Sequence, residues 1–429
     1  MEDAVPAADA ALDRSYRALF AVPSLKRIVL GITIGRLAAS MVSVAVILFS
    51  LAEYQSPALT GLVTFASIFP GVIASPLAGA LLDRHGRTRM VIIDYVIGAA
   101  SLILIGVLAA FDALPAWALV LIVGVAAVTH PLSNSGLRTL LPIIVPRRLW
   151  GRMNAVDSNS YVVSQLIGPP LAGVLVQVTG PIIGLMSVGA LLAAAAIVTR
   201  GIPEPVVEGA SSGRIFVDAR AGLAYVVRHP TLRGLAISMS TVRVGSGVQA
   251  IVMPVIVLNL LGAGPVMVGA AWGLSAVAGF IAAVLFGRIE TAGRERLILA
   301  VCFGGTALGF ALLLPANSLL LVFLAMAITG ALNGPADVTM FTLRQRRTDM
   351  AWLGRAFAVS AAFNFAGYPF GSAIAGAVVE QALQPAILFG VACCLVAGVL
   401  AWVLVPAHDD APAPTADHRT SVRNQSENW

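Results

Sequence analysis

The chain has 429 residues, of which 58% are hydrophobic and 11% charged. Soluble domains carry about 25% charged residues, so this composition excludes an ordinary soluble domain and points to an integral membrane protein. A net charge of +6 would suit nucleic acid, but the arginines recur in short groups between apolar runs instead of covering one face, which excludes that class.

Residues 1–27 open with MEDAVPAADAALDR, acidic and polar where a secretory signal has a basic start and an apolar core. This segment is expected to stay in the cytoplasm. Apolar windows long enough to cross a bilayer, about 20 residues, then follow at 28–52, 57–82, 90–111, 116–141, 153–178, 181–199, 234–261, 266–287, 297–315, 318–341, 356–380 and 385–405. They are numbered here as spans 1 to 12. All should be helical, because lipid cannot satisfy an open backbone. Residues 201–232 are the longest interior polar stretch and separate six spans from six, with 214–228 readable as an amphipathic surface helix. The tail 406–429 is polar, rich in small residues and expected to be disordered.

The connections after odd-numbered spans (EYQS, DALP, TG, GAGP, AN, QALQ) contain no Lys or Arg. The opposite side holds the arginines, among them Arg84, Arg87, Arg89, Arg152, Arg294, Arg344 and Arg355. Cytoplasmic loops carry the basic excess, so both termini are placed in the cytoplasm. Lys26 is the only lysine among 27 basic residues, which fits the coding habit of a GC-rich bacterial genome. Cys302, Cys393 and Cys394 lie in apolar runs and form no disulfide or metal framework. The histidines, His85, His130, His229, His408 and His418, lack ligand spacing. No Ser/His/Asp group is apparent, so an enzyme is not expected. No glycine-rich Gly-Lys-Ser/Thr loop occurs, so ATP is not the fuel, and no cofactor is expected.

The halves repeat. An offset of 207 places Leu25 on Leu232, Lys26 on Arg233, Arg36 on Arg243, Asp83 on Glu290, Gly86 on Gly293, Arg87 on Arg294 and Arg89 on Arg296. An offset of 203 places Gly151-Arg152 on Gly354-Arg355, Gly168 on Gly371 and Gly173 on Gly376. Parallel six-helix repeats with a midplane site between them are a transporter architecture.

Between spans 2 and 3 the sequence GALLDRHGRTRM packs charge into an apolar region. Gly79, Asp83, Arg84, Gly86, Arg87 and Arg89 make it resemble the signature loop of the major facilitator superfamily, although Thr88 stands where a basic residue is usual. With the span count and the six-plus-six repeat, the resemblance covers about 28–405, and the arrangement looks most like bacterial drug- and siderophore-exporter branches. It implies an all-α membrane fold of twelve spans in two pseudo-symmetric bundles, 28–200 and 233–405. It also implies a monomer that moves a small molecule by alternating access. The expected function is proton-coupled export of a drug-like, siderophore-like or acidic amphiphilic compound across the bacterial cytoplasmic membrane. The alternatives are uptake of a small organic acid and, in a different class, a non-transporting receptor or scaffold.

In the superfamily this loop resembles a latch whose acid meets the start of span 11. The repeat then suggests two latches, Asp83–Arg355 and Glu290–Arg152, flanked by Gly293 and Arg294, that close the cytoplasmic side and favour the outward-open state. Asp94, one turn into span 3, is expected to pair with Arg87 or Arg138 in a structural role. Arg36 and Arg243 lie eight and nine residues inside their windows. A central arginine costs about 2.5–3.5 kcal/mol on insertion scales, so each must face water, protein or substrate, or snorkel to the headgroups. The resemblance places spans 1, 4, 7 and 10 around a central cavity, making Arg36, His130, Arg138, Arg243 and Asp337 candidates for substrate contact or proton coupling. Phe65, Met239, Met253, Phe341, Phe363 and Phe365 would favour a bulky apolar compound, or serve as core or lipid-facing residues. The segment GPPLAG, with Gly168, Pro169, Pro170 and Gly173, resembles the antiporter signature in part. Its glycines, like Gly371 and Gly376, permit close helix packing.

Overall fold

The computed structural model describes residues 15–202, 215–315, 317–348 and 353–407. Each of the twelve windows is helical. In chain order these are α1 (Leu25–Tyr54), α2 in two pieces (Pro57–Ala66 and Phe69–His85), α3 (Arg87–Ala110), α4 (Ala116–Ile144), α5 (Trp150–Thr179) and α6 (Pro181–Thr199). The second half holds α7 (Pro230–Val255), α8 (Pro265–Phe286), α9 (Glu295–Ala311), α10 (Leu319–Arg346), α11 (Leu353–Val379) and α12 (Leu383–Leu404). Ten helical stretches among the described residues are long and apolar enough to cross a membrane. The α9 stretch of 17 residues is slightly short for such a span, so the described structure leaves the sequence-based count of twelve crossings as an expectation. A surface helix, Ile215–Arg228, leads into α7, where the amphipathic stretch was expected.

Local chemistry sets the boundaries. Ser56 caps α2 by accepting from the Leu59 amide at 3.1 Å, and Pro57 fills the first turn, where a missing N–H costs nothing. Gly180 turns the chain between α5 and α6 at φ +82°, a left-handed geometry that glycine adopts without strain. Ser318 caps α10 in the same way as Ser56.

Packing reproduces the repeat. In the first half α1 packs on α5 and α6, α3 on α4 and α6, and the second piece of α2 on α4. In the second half α7 packs on α11 and α12, α9 on α10 and α12, and α8 on α10. The two bundles meet mainly through α2 against α11 and α5 against α8, again repeat-related pairs. Both seams run through glycines. A Cβ on Gly61 would come within 3.0 Å of the Gly376 Cα, and one on Gly173 within 3.1 Å of the Gly269 Cα. Such close backbone approach needs small residues. Gly61, Gly173, Gly269 and Gly376 all lie toward the end opposite the described chain ends, called here the far end; the other is the near end. The far end is therefore closed.

Within the second bundle, a Cβ at Gly279 would sit 3.0 Å from the Gly330 carbonyl oxygen of α10. Gly279→Val should lower stability by about 1–3 kcal/mol through overpacking. At Gly151 a Cβ meets nothing within 4 Å, so Gly151→Ala should hold or raise stability. Thermal unfolding of the detergent-solubilised protein measures both.

Candidate functional site: paired arginine–aspartate clusters between the bundles

The membrane interior forces intramembrane charges to find partners, and in this chain they gather into two groups. In the first bundle Asp157 of α5 is the centre, with its side chain only 4% exposed. One carboxylate oxygen accepts from Arg36 of α1 at 2.8 Å and the other from Arg138 of α4 at 3.0 Å. Arg36 also donates to the Asp157 carbonyl oxygen at 2.7 Å and to Ser160 Oγ at 3.1 Å. Its guanidinium is thereby fixed and does not snorkel. Arg138 uses only its Nε here, and its side chain is 64% exposed. Its remaining donors face open space.

In the second bundle Asp337 of α10 pairs with Arg243 of α7 at 3.4 Å. Arg344, one helical stretch further along α10, is buried, donates to Asn364 Oδ1 of α11 at 3.1 Å and lies within electrostatic reach of Asp337. Each bundle thus holds one aspartate between two arginines, leaving one surplus positive charge per bundle. The aspartates differ. Asp157 is clamped on both oxygens, whereas the Asp337 side chain is 43% exposed and makes one long contact. Arg243 also keeps a buried Nε with no acceptor among the described residues. Tyr161 of α5 lies between the groups: its ring sits 5.9 Å from Arg36, and its phenol feels the charges of Asp337, Arg243, Arg36 and Arg138. The two clusters therefore face a shared space between the bundles.

The structure joins Arg36, Arg138, Arg243 and Asp337 into this site and leaves out other sequence candidates. His130 is exposed on α4 and belongs to neither cluster. The buried Asp94 accepts from Thr129 Oγ1 at 2.6 Å. It does not meet Arg138, because Asp157 holds that arginine. The latch expected between Glu290 and Arg152 is not made. Glu290 is exposed, and the Arg152 guanidinium lies over the Tyr16 ring at 5.7 Å. The inner piece of α2 touches α11 and the surface helix, but no contact among the described residues joins Glu290 to Arg152. The other expected latch rests on the side chains of Asp83 and Arg355, which lie outside the described residues. Arg84 is exposed, and Gly86 and Gly293 take φ of +91° and +75° at turns beside the two loops. Gly79 lies within α2 and Arg87 begins α3, while Arg294 is exposed just before α9.

Gly168 packs against Ser40 of α1 and Gly371 against Val244 of α7 within their own bundles, whereas Gly173 and Gly376 form the seams between bundles. Helix α5 continues through Pro169 and Pro170. Met239 and Met253 are core residues, and Phe363 packs beneath the surface helix. Phe65 stacks with Phe69 and meets Phe370 edge-on. Phe341 and Phe365 are 48% and 55% exposed.

Sequence reasoning missed Asp157, Tyr161 and the burial of Arg344. Asp157 stands four residues inside the fifth window, and an acid within a span was the available signal, since such an ion needs a partner. Arg344 was counted among near-end loop residues because its window stopped at 341, whereas α10 runs to Arg346.

The sequence profile of the Major Facilitator Superfamily matches residues 28–242 and again 235–426. The chain belongs to this superfamily. It is a multi-pass membrane transporter, not an enzyme. An uncharacterized MFS-type transporter, y4rN of Sinorhizobium fredii, is 37% identical over 374 residues, covering 86% of this chain and 92% of that protein. The multidrug efflux pump Tap of Mycolicibacterium fortuitum is 26% identical, covering 75% of this chain and 80% of its own length. Macrolide efflux protein A of Streptococcus pyogenes is 22% identical over 41% of this chain and 44% of its own length. Among solved structures, the nucleoside transporter NupG superposes with a TM-score of 0.72 at 15% identity, covering 89% of this chain and all (100%) of that one. A bacterial homologue of ferroportin in an inward-facing state gives 0.68 at 15%, covering 88% and 97%. These superpositions establish the fold.

The two clusters predict unequal sensitivity. Asp157→Asn removes the one negative charge that Arg36 and Arg138 share and should cost about 3–5 kcal/mol, as breaking a buried pair does. Asp337→Asn, at a more exposed and longer contact, should cost no more than about 1 kcal/mol. Thermal unfolding in detergent separates the two.

Proposed function

We propose that this chain exports an amphiphilic organic compound with an acidic group from a bacterial cytoplasm, in exchange for protons, across the cytoplasmic membrane. Residues 28–200 and 233–405 are the two moving bodies of a monomeric, alternating-access carrier. The carrying observation is the pair of clusters, each with one aspartate between two arginines, that leaves the space between the bundles net positive. An anionic group is attracted there, and the exposed donors of Arg138 and the unpaired Nε of Arg243 are the available contacts. Tyr161, Phe341 and Phe365 supply aromatic surface for the apolar part.

The arginine-rich loops lie at the near end, so the basic-inside rule puts that end and both termini in the cytoplasm. A closed far end then corresponds to a carrier open to the cytoplasm, the state in which an exporter collects its cargo. Relatives named as efflux pumps support the outward direction. Asp337 is the proton carrier in this reading. Its single 3.4 Å partner and 43% exposure let a proton compete for the carboxylate, whereas Asp157 is committed to Arg36 and Arg138. When Asp337 takes up a proton, Arg243 loses its counterion and the site becomes one charge more positive. Charge alone would then favour an anionic cargo on the protonated site, so exchange requires cargo and proton to exclude each other in space, by competing for the place beside Arg243.

Uptake of a small organic acid would use the same positive site, and flux direction decides between them. In proteoliposomes of known orientation with an imposed pH gradient, the wild type should drive labelled anionic amphiphiles toward the acidic far side. Asp337→Asn should abolish gradient-driven accumulation while retaining substrate exchange at equal pH on both sides. Accumulation in Asp337→Asn equal to the wild type removes this proton site. Flux only into the near-end compartment reverses the direction, and no coupled flux for any anionic, neutral or cationic amphiphile removes the carrier function proposed here.

A further inference from the structure

Closing the far end requires more than glycine contact, because the bundles must also part there in each cycle. Just beyond each glycine seam the structure places a side-chain acceptor on the start of the facing helix. On one seam, Gln177, one turn after Gly173 on α5, accepts through Oε1 from the Val266 amide in the first turn of α8 at 3.1 Å. On the other, Glu380, one turn after Gly376, accepts through Oε1 from Ser56 Oγ at 3.3 Å. Ser56 in turn accepts from the Leu59 amide and caps α2. The offset of 203 that superposes Gly173 on Gly376 also superposes Gln177 on Glu380. Both facing helices start with proline, Pro57 and Pro265.

A helix start offers unpaired N–H groups and a partial positive charge. The two contacts therefore occupy repeat-related places, Gln177 on a backbone amide directly and Glu380 through the Ser56 hydroxyl, and they differ in charge. Gln177 is a neutral amide at every pH, and Glu380 is a carboxylate.

We propose that Gln177 and Glu380 are positioning residues that hold the far end shut by capping the facing bundle's helices, and that Glu380 makes one of the two seams sensitive to protons on that side. This does not depend on the substrate or on the role of Asp337. Glu380 is exposed to the far side. The neighbouring titratable groups are Glu53 and Tyr54 at the end of α1 and Asp112 after α3. The adjoining starts of α2, α8 and α12 and the end of α7 carry no charged residue, and the far-end rim carries no Arg, Lys or His. No cation competes with the helix start for the Glu380 carboxylate.

The sign follows from the ionised form being the better cap. Closure is strongest when Glu380 is ionised and weakens when acid on the far side protonates it. Acid outside would thus favour opening outside.

The test uses the full chain in nanodiscs with spin labels at Phe111 and Leu320, two exposed far-end positions on opposite bundles, in an Asp337→Asn background so that the central carboxylate does not contribute. Between pH ~7 and ~4, the long-distance population should rise by up to about five-fold, the size that exposed charge contacts reach. Adding Glu380→Gln should flatten that response, and adding Gln177→Glu should steepen it. Ser56→Ala, which removes the hydroxyl between the carboxylate and the helix start, should flatten it as Glu380→Gln does. A pH response that survives Glu380→Gln, or no response before that substitution is added, overturns the proposal.

Discussion

The structure depends on pairing the charges of its two arginine–aspartate clusters inside a span-rich protein. Four arginines would be prohibitive as isolated ions, and one aspartate shared between two of them in each bundle solves most of that problem. The solution also fixes geometry. Asp157 ties α1, α4 and α5 together through Arg36 and Arg138. Asp337 ties α7 to α10, and Arg344 ties α10 to α11. The helices that line the space between the bundles are therefore the ones stitched by charge, and the surplus positive charge is a by-product of that stitching.

The pseudo-symmetry is chemical only in part. Arg36 and Arg243 are true repeat partners, but the acids they use are not: Asp157 lies on α5, and Asp337 lies on α10. The position equivalent to Asp337 is Asn134, and the one equivalent to Asp157 is Ser360. The same charge balance is reached from different helices, so one acid ends buried and doubly held while the other stays accessible. A strictly symmetric protein would have two equal carboxylates and no means of giving them different tasks. Inequality between halves recurs at the far end, where an amide and a carboxylate occupy matching places.

The fold was largely legible because its signals are coarse. Window length, arginine placement and the two offsets each sample many residues, and the helices, their pairing and the glycine seams follow them. Arg36 and Arg243 were legible because they fall deep inside their windows, while Arg138 and Asp337 were legible because they lie on spans that the resemblance places around the cavity. Asp157 and Arg344 sit near window edges, where a hydropathy run ends before the helix does, and nothing local distinguishes a buried ion from a loop residue. Asp94 takes a hydroxyl, Thr129, as its hydrogen-bond donor, a partner that a search for opposite charge overlooks. The Glu290–Arg152 contact was argued from symmetry alone, and symmetry does not say which end of the molecule is shut.

The broken second helix has a mechanical meaning of its own. Pro70 has no amide hydrogen to give the Ala66 carbonyl, and the chain leaves helical geometry at Ile68. The outer piece is pressed onto α11 at Gly61, while the inner piece packs on α4. A rod with an articulation already stripped of its hydrogen bond swivels at little expense. The break falls where Phe65 of the outer piece and Phe69 of the inner piece both meet Phe370 of α11, so the angle between the two pieces is set at the seam itself.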